Sequence, residues 1–184
     1  MVDERLVTVD ISVIRLLYLD TNVLIAYYYD NDTDDQHEVA VEFFKTVEKN
    51  NNESDAKITL FCSHFTITEF VQSYATKPDV DDVETFKIAQ ELLMANKIGK
   101  EYSFVFIETQ GNKKDYSFRD FFLDVQTVLL NTKPRPGIAD AIHATIMKNN
   151  HLRNIVTFDE GDFKHIEGIK VVHPKTKFGI IKKM

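Results

Sequence analysis

Short apolar runs that stop abruptly at an acidic residue, each followed by residues at helical spacing, constrain this chain more than any other feature. The first run is Leu16-Leu17-Tyr18-Leu19, halted by Asp20-Thr21-Asn22 and followed by Val23-Leu24-Ile25-Ala26-Tyr27-Tyr28-Tyr29. Four consecutive apolar residues suit a strand covered on both faces, and the apolar stretch beyond the polar break is long enough for about two helical turns. This is the opening of a βα unit. Ile155-Val156-Thr157 repeats the pattern, with Asp159 just beyond it and Asp162 three residues on.

Between these runs the periodicity alternates. Val39, Phe43, Phe44 and Val47 predict a helix over residues 36–50, broken by Asn50-Asn51-Asn52. Ile58-Thr59-Leu60-Phe61-Cys62 is the next strand, and residues 65–75 are helical up to Lys77-Pro78. Val83, Phe86, Ala89, Leu92, Leu93 and Ala95 predict one long helix over 79–100. Residues 102–107 read as a strand, and 117–130 as a helix with Phe118, Phe121, Phe122, Val125 and Leu129 on its apolar side. After the stiff loop Thr132-Lys133-Pro134-Arg135-Pro136-Gly137 come a helix over 138–149, the strand 154–157, a short helix near Phe163 and a strand over 169–172. Strands alternating with helices imply an α/β fold: a mostly parallel sheet of four or five strands with helices on both faces.

At 184 residues, with 43% hydrophobic and 28% charged residues, the chain has ordinary globular usage, which excludes disordered and collagen-like classes. A single domain over 1–184 is expected, with an N-terminal extension (1–15) and an extended helical middle (77–132). The lone Cys62 excludes an intramolecular disulfide and a cysteine-based zinc cluster. No apolar run approaches the ~20 residues of a membrane helix. The opening Met1-Val2-Asp3-Glu4-Arg5 is acidic where a secretory signal would be positive, so a cytoplasmic location is expected. The net charge of −7 is uneven: residues 1–132 carry 12 Lys and Arg against 24 Asp and Glu, and residues 133–184 carry 10 against 5. A basic C-terminal third is able to meet phosphates locally, or simply to solubilise the last strands.

Open parallel sheets place their ligands at the carboxyl ends of the strands. Asp20 and Asp159 follow strands directly, Glu69 lies in the first turns of a helix after a strand, and Asp140 opens the helix before the Asp159 strand. Carboxylates gathered at one sheet edge repel one another unless a cation joins them. The set lacks a Cys/His cluster, which points away from zinc and toward Mg²⁺ or Mn²⁺. One such ion, or two about 3.5–4 Å apart, suits hydrolysis of a phosphodiester. Each acid also has a plainer role. Asp20 suits an N-cap, Thr66-Ile67-Thr68-Glu69 fits a capping box, Asp140 suits a helix N-terminus, and Asp159 and Asp162 suit a turn around Gly161.

Four segments resemble the motifs of PIN-domain nucleases. They are Leu17-Tyr18-Leu19-Asp20-Thr21-Asn22-Val23-Leu24-Ile25, Ser63-His64-Phe65-Thr66-Ile67-Thr68-Glu69-Phe70, Gly137-Ile138-Ala139-Asp140-Ala141-Ile142-His143-Ala144 and Ile155-Val156-Thr157-Phe158-Asp159-Glu160-Gly161-Asp162-Phe163. All four occur in the family's order across residues 16–172, and the chain looks most like VapC-type toxins. The resemblance implies a PIN-like fold and an Mg²⁺- or Mn²⁺-dependent ribonuclease. It also implies an acidic quartet of Asp20, Glu69, Asp140 and Asp159, with Asp162 as auxiliary ligand and Asn22 and Thr157 orienting the cluster. The implied partners are an RNA substrate and an antitoxin, and leftover apolar surface is expected to make a homodimer or take an antitoxin helix. This chain is longer than such toxins usually are, in its first 15 residues and between Glu69 and Asp140.

Other polar residues take plainer readings. His143 is expected to be structural, His64 a loop residue, and Tyr27, Tyr28 and Tyr29 a buried helix face rather than an RNA-stacking platform. Lys133, Arg135 and the segment 175–183 are expected to be solvated, and the Phe-rich helices to be core. A PIN-like scaffold that binds RNA or protein without cutting, and an RNA-processing nuclease outside toxin–antitoxin systems, are the alternatives. A haloacid-dehalogenase-type phosphatase needs a second acid two residues after the first, and here that residue is Asn22.

Overall fold

The computed structural model describes residues 15–30, 35–99 and 101–178. The expected extension 1–15 lies almost wholly outside them, as does the end of the basic segment 175–183. Among the described residues, five strands form one sheet: β1 (Leu16–Leu19), β2 (Thr59–Ser63), β5 (Val105–Ile107), β6 (Asn154–Val156) and β7 (Lys170–Val172). Their order is β5-β2-β1-β6-β7, and every pairing is parallel. The chain runs outward from β1 through β2 to β5, then returns to place β6 and β7 on the other side of β1. The reversal makes the carboxyl end of β1 a switch point, where a crevice opens.

Helices cover both faces, as the sequence predicts. Leu17 and Leu19 of β1 point into a core shared with α1 (Thr21–Tyr28), α2 (Gln36–Glu53), α3 (His64–Tyr74) and α4 (Asp82–Ala95). Tyr18, between them, joins the opposite core with α5 (Phe118–Asn131), α6 (Ile138–Asn149) and α7 (Glu160–Phe163). That alternation is the two-residue period of a strand buried on both sides. The tyrosines Tyr27, Tyr28 and Tyr29 pack partly buried against the first core, as expected. No helix among the described residues is long and apolar enough to cross a membrane.

Four local expectations are corrected. α2 does not break at Asn50-Asn51-Asn52 but continues to Glu53. Asn51 accepts from the Ile58 N–H at 2.6 Å and donates to the Ile58 carbonyl at 2.8 Å, so a bond to the start of β2 overrides weak local helix preference. The helix over 79–100 is shorter: Asp81 caps α4, and Asn96, in the left-handed region at φ 51°, ends it. The chain then forms β3 (Lys97–Ile98), which pairs with β4 (Tyr102–Ser103) in a small antiparallel ribbon. The strand expected over 102–107 therefore splits at buried Phe104, whose N–H turns back to the Asn96 carbonyl. Last, α5 buries Val125 and Val128, while Phe118 is 81% exposed and Phe122 60% exposed, so its aromatic stripe is not core.

Candidate functional site

β1 and β6 lie side by side, so the residues that follow them meet. The Asp20 N–H donates to the Val156 carbonyl at 3.0 Å, extending the ladder one residue past β1. Asp20 then starts α1, with its Oδ1 accepting the Thr21 N–H at 2.7 Å. Its other oxygen, Oδ2, accepts from the buried Thr157 hydroxyl at 2.6 Å. Thr157 Oγ1 also accepts from Asn22 Nδ2 and from the Asp159 N–H, both at 2.9 Å, while Asn22 Oδ1 accepts the Phe158 N–H at 3.2 Å. Asn22 and Thr157 thus stitch the ends of β1 and β6 together around Asp20.

β2, on the other side of β1, supplies Glu69 through α3. Ser63 caps α3 by accepting from the Thr66 N–H, which removes the capping-box reading of Glu69 and makes His64 the first helical residue rather than part of a loop. Glu69 is free to reach across to β1's extension, where its Oε2 accepts from Thr21 Oγ1 at 2.5 Å. α6 then brings in a residue that sequence reading set aside as structural. His143 is 1% exposed, and its Nε2 lies 2.9 Å from Glu69 Oε2 and 3.6 Å from Asp20 Oδ1. Asp20, Glu69 and His143 each offer one ligand atom, and all three atoms lie within 4.8 Å of one another. The sequence signal for His143 is its place one turn after Asp140 on an otherwise apolar face, where a buried imidazole must find polar partners.

The remaining predicted acids stand around this trio rather than within it. Asp140, half-buried at the start of α6, accepts the Gly137 N–H at 3.0 Å through Oδ2, so its expected helix-terminus role is real. Asp159 and Asp162 are exposed, Asp159 just before α7 and Asp162 within it. Asp140 and Asp162 nevertheless sense the same field. Burial, then Asp162, raises the Asp140 carboxyl above the ordinary aspartate value, and burial, then Asp159, raises that of Asp162.

At the centre the two acids diverge. Burial pushes Asp20, 7% exposed, above the usual range against the opposing pull of His143, Thr157 and Thr21. Burial would also raise Glu69, but hydrogen bonds from His143 and Thr21 outweigh it and hold that carboxyl below its ordinary value. Burial likewise keeps the proton on Tyr18, whose hydroxyl is raised far above the ordinary tyrosine value. A compact set of carboxylate oxygens, partly desolvated and mutually repelling, is the donor chemistry that suits a hard divalent cation. Of the predicted residues, Asp20 and Glu69 form its centre, Asn22 and Thr157 its brace, and Asp140, Asp159 and Asp162 its rim.

No curated protein matches the sequence detectably. Solved structures do match the fold. VapC20 from Mycobacterium tuberculosis, described as a sarcin–ricin loop cleaving toxin, is 15% identical over 80% of this chain and 92% of its own, with a TM-score of 0.53. VapBC2 from Rickettsia felis, solved bound to a DNA fragment from its promoter, is 12% identical over 86% of this chain and 98% of the matched one, also at 0.53. FitAcB from Neisseria gonorrhoeae is 16% identical over 86% and 97%, again at 0.53. At such identities the likeness is one of fold. The sequence profile of the PIN domain spans residues 17–169, from the first residues of β1 to the approach of β7, and takes in every acid of the site. By that match and by its fold, the chain belongs to the PIN domain family.

Proposed function

We propose that this protein is an endoribonuclease that hydrolyses RNA phosphodiester bonds, and that it acts in the cytoplasm as the toxin of a toxin–antitoxin pair. The observation that carries the reading is the meeting of Asp20 and Glu69, from adjacent strand ends, in one partly desolvated basin with three further acids on its rim. Mg²⁺ or Mn²⁺ would be held by Asp20, Glu69, Asp140 and Asp159, with Asp162 as an auxiliary ligand. When bound, such an ion supplies the positive charge that acidifies a water and offsets charge building on the phosphodiester. Thr157 and Asn22 fix the direction of the Asp20 carboxylate, and Thr21 fixes that of Glu69. Membership of the PIN domain family, and the fold shared with a toxin described as cleaving the sarcin–ricin loop, support RNA as substrate.

Incubation with defined RNAs and Mn²⁺ tests this. Cleavage should be abolished in Asp20→Asn and reduced at least ~100-fold in Asp140→Asn. Cleavage unaffected by either change would exclude the site. A second reading, a PIN scaffold that binds RNA without cutting it, is favoured by His143, whose Nε2 stands between the two acids, 2.9 Å from Glu69 and 3.6 Å from Asp20. Under that reading RNA binding survives Asp20→Asn and no Mn²⁺-dependent product forms.

We also propose a homodimer, with an antitoxin as further partner. Phe118, Phe122 and Ile138, exposed on α5 and α6, line an apolar groove of about 260 Å³ together with Phe121, Val125 and Ile142. Light scattering should give twice the chain mass for the wild type and the chain mass for a Phe118→Ser, Phe122→Ser double variant.

A further inference from the structure

Behind Glu69 lies a string of buried hydroxyls that the proposed reaction does not use. Tyr18 Oη is 2.9 Å from His143 Nδ1, 2.7 Å from Ser63 Oγ and 2.9 Å from Thr66 Oγ1, while Ser63 Oγ and Thr66 Oγ1 are 3.1 Å apart. All four residues are buried.

With a neutral imidazole, the protons in this string fall into one arrangement. An ionised Glu69 only accepts, so His143 Nε2, 2.9 Å away, carries a hydrogen. In the neutral ring Nδ1 is then an acceptor, and Tyr18 must donate to it. Having spent its only proton there, Tyr18 Oη has two lone pairs to fill, and the Ser63 and Thr66 hydroxyls are the donors in reach. That leaves the Ser63–Thr66 contact without a proton, and it is the longest of the four. At the other end, Thr21 and His143 both donate to Glu69 Oε2, and no described residue donates to Oε1.

We propose that Tyr18 and His143 are positioning residues for Glu69: a one-way chain of hydrogen bonds from Ser63 and Thr66 through Tyr18 and the imidazole pins Oε2 and leaves Oε1 as the oxygen offered to a cation. This rests on the metal-binding reading of the site. Buried partners that orient a ligating group typically change metal affinity about 10–100-fold when removed. The chain also ties Glu69 to β1 and to the N-terminus of α3, so the carboxylate is held by elements on both sides of it.

The test uses the full chain and Mn²⁺ alone, with affinity read by calorimetry and folding by circular dichroism. His143→Gln keeps an amide N–H near the Nε2 position, whereas His143→Asn reaches only toward Tyr18. Mn²⁺ affinity within about threefold of wild type for His143→Gln, with a loss of roughly tenfold or more for His143→Asn, is the expected result. Tyr18→Phe should lose affinity severalfold. Equal affinity in His143→Asn and wild type would overturn the proposal. A second measurement needs no metal: ¹⁵N shifts of the ring should show His143 protonated at Nε2 and not at Nδ1. The Nδ1–H form would overturn the chain of donors even if the variants fail to fold. If wild type binds no Mn²⁺ while the Nε2–H form is present, the metal reading falls and the chain of donors stands.

Discussion

Thr157 shows how little of the site stands by itself. Its hydroxyl spends its proton on the buried Asp20 carboxylate and uses its lone pairs on Asn22 and the Asp159 amide. Replacing it with the isosteric valine leaves a buried carboxylate short of a donor, which costs about 1–3 kcal/mol. In a domain of this size that lowers the melting temperature by roughly 2–12 °C. Thr157→Ser should restore most of the loss, and an unshifted melt of Thr157→Val would remove Thr157 from the brace. Asp20 is readable because an apolar run that ends in a polar residue marks a strand end, and strand ends meet, whereas the role of Thr157 is legible only through the PIN-like motif that contains it. The role of His143 is not legible. Its importance comes from the 2.9 Å approach of a helix far along the chain, and its only local mark is a polar ring between Ile142 and Ala144. Glu69 was readable as an acid but not in its role. Whether it capped a helix or crossed the sheet edge depended on Ser63, which took the cap.

Helix α5 separates periodicity from burial. The 3.6-residue spacing correctly predicts a helix, and Ser117 closes a capping box in which Asp120 accepts from the Ser117 N–H at 2.9 Å and Ser117 Oγ accepts from the Asp120 N–H at 3.2 Å. Ser117→Ala should therefore destabilise the protein by about 1 kcal/mol in urea denaturation, although nothing there touches the core. A change below about 0.3 kcal/mol would mean that α5 is held by its packing alone. Spacing could not say which apolar face is covered. Two faces of α5 are apolar, and the inner one, Val125 and Val128, is settled by contact with α6 and the sheet, which a single sequence does not display. The same limit explains the other misread boundaries. Asn51 ends in a helix because it bonds Ile58, and residues 102–107 split because Phe104 turns back to Asn96. Long elements with strong periodicity were legible; short ones settled by a single tertiary hydrogen bond were not.

Across the whole molecule, the sheet order converts three strand ends into one electrostatic problem. Without a cation, Asp20, Asp140 and Asp162 have carboxyls raised chiefly by burial, so the native state binds their protons more tightly than the unfolded chain does. Each therefore subtracts stability above its folded pKa, and the deficit is relieved as pH falls toward the unfolded value of about 3.9. Glu69 has the opposite sign: its lowered value contributes stability at neutral pH that is lost as pH falls through its folded value. Comparing wild type with Asp20→Asn removes the central carboxylate together with its interaction with His143 and Glu69. Metal-free, the variant should gain on the wild type as pH rises above the unfolded aspartate value of about 3.9, because only the wild type accumulates the buried charge. Mn²⁺ should reverse that ranking. At 100 times its dissociation constant an ion adds about 2.7 kcal/mol, or roughly 5–11 °C, to a protein that binds it only when folded. The wild type should show that shift at neutral pH and progressively less of it in acid, as protons compete for the same oxygens. Asp20→Asn should show little at any pH. Equal Mn²⁺ shifts in the two proteins would place the ion elsewhere and leave the gathered carboxylates as a feature of the fold alone.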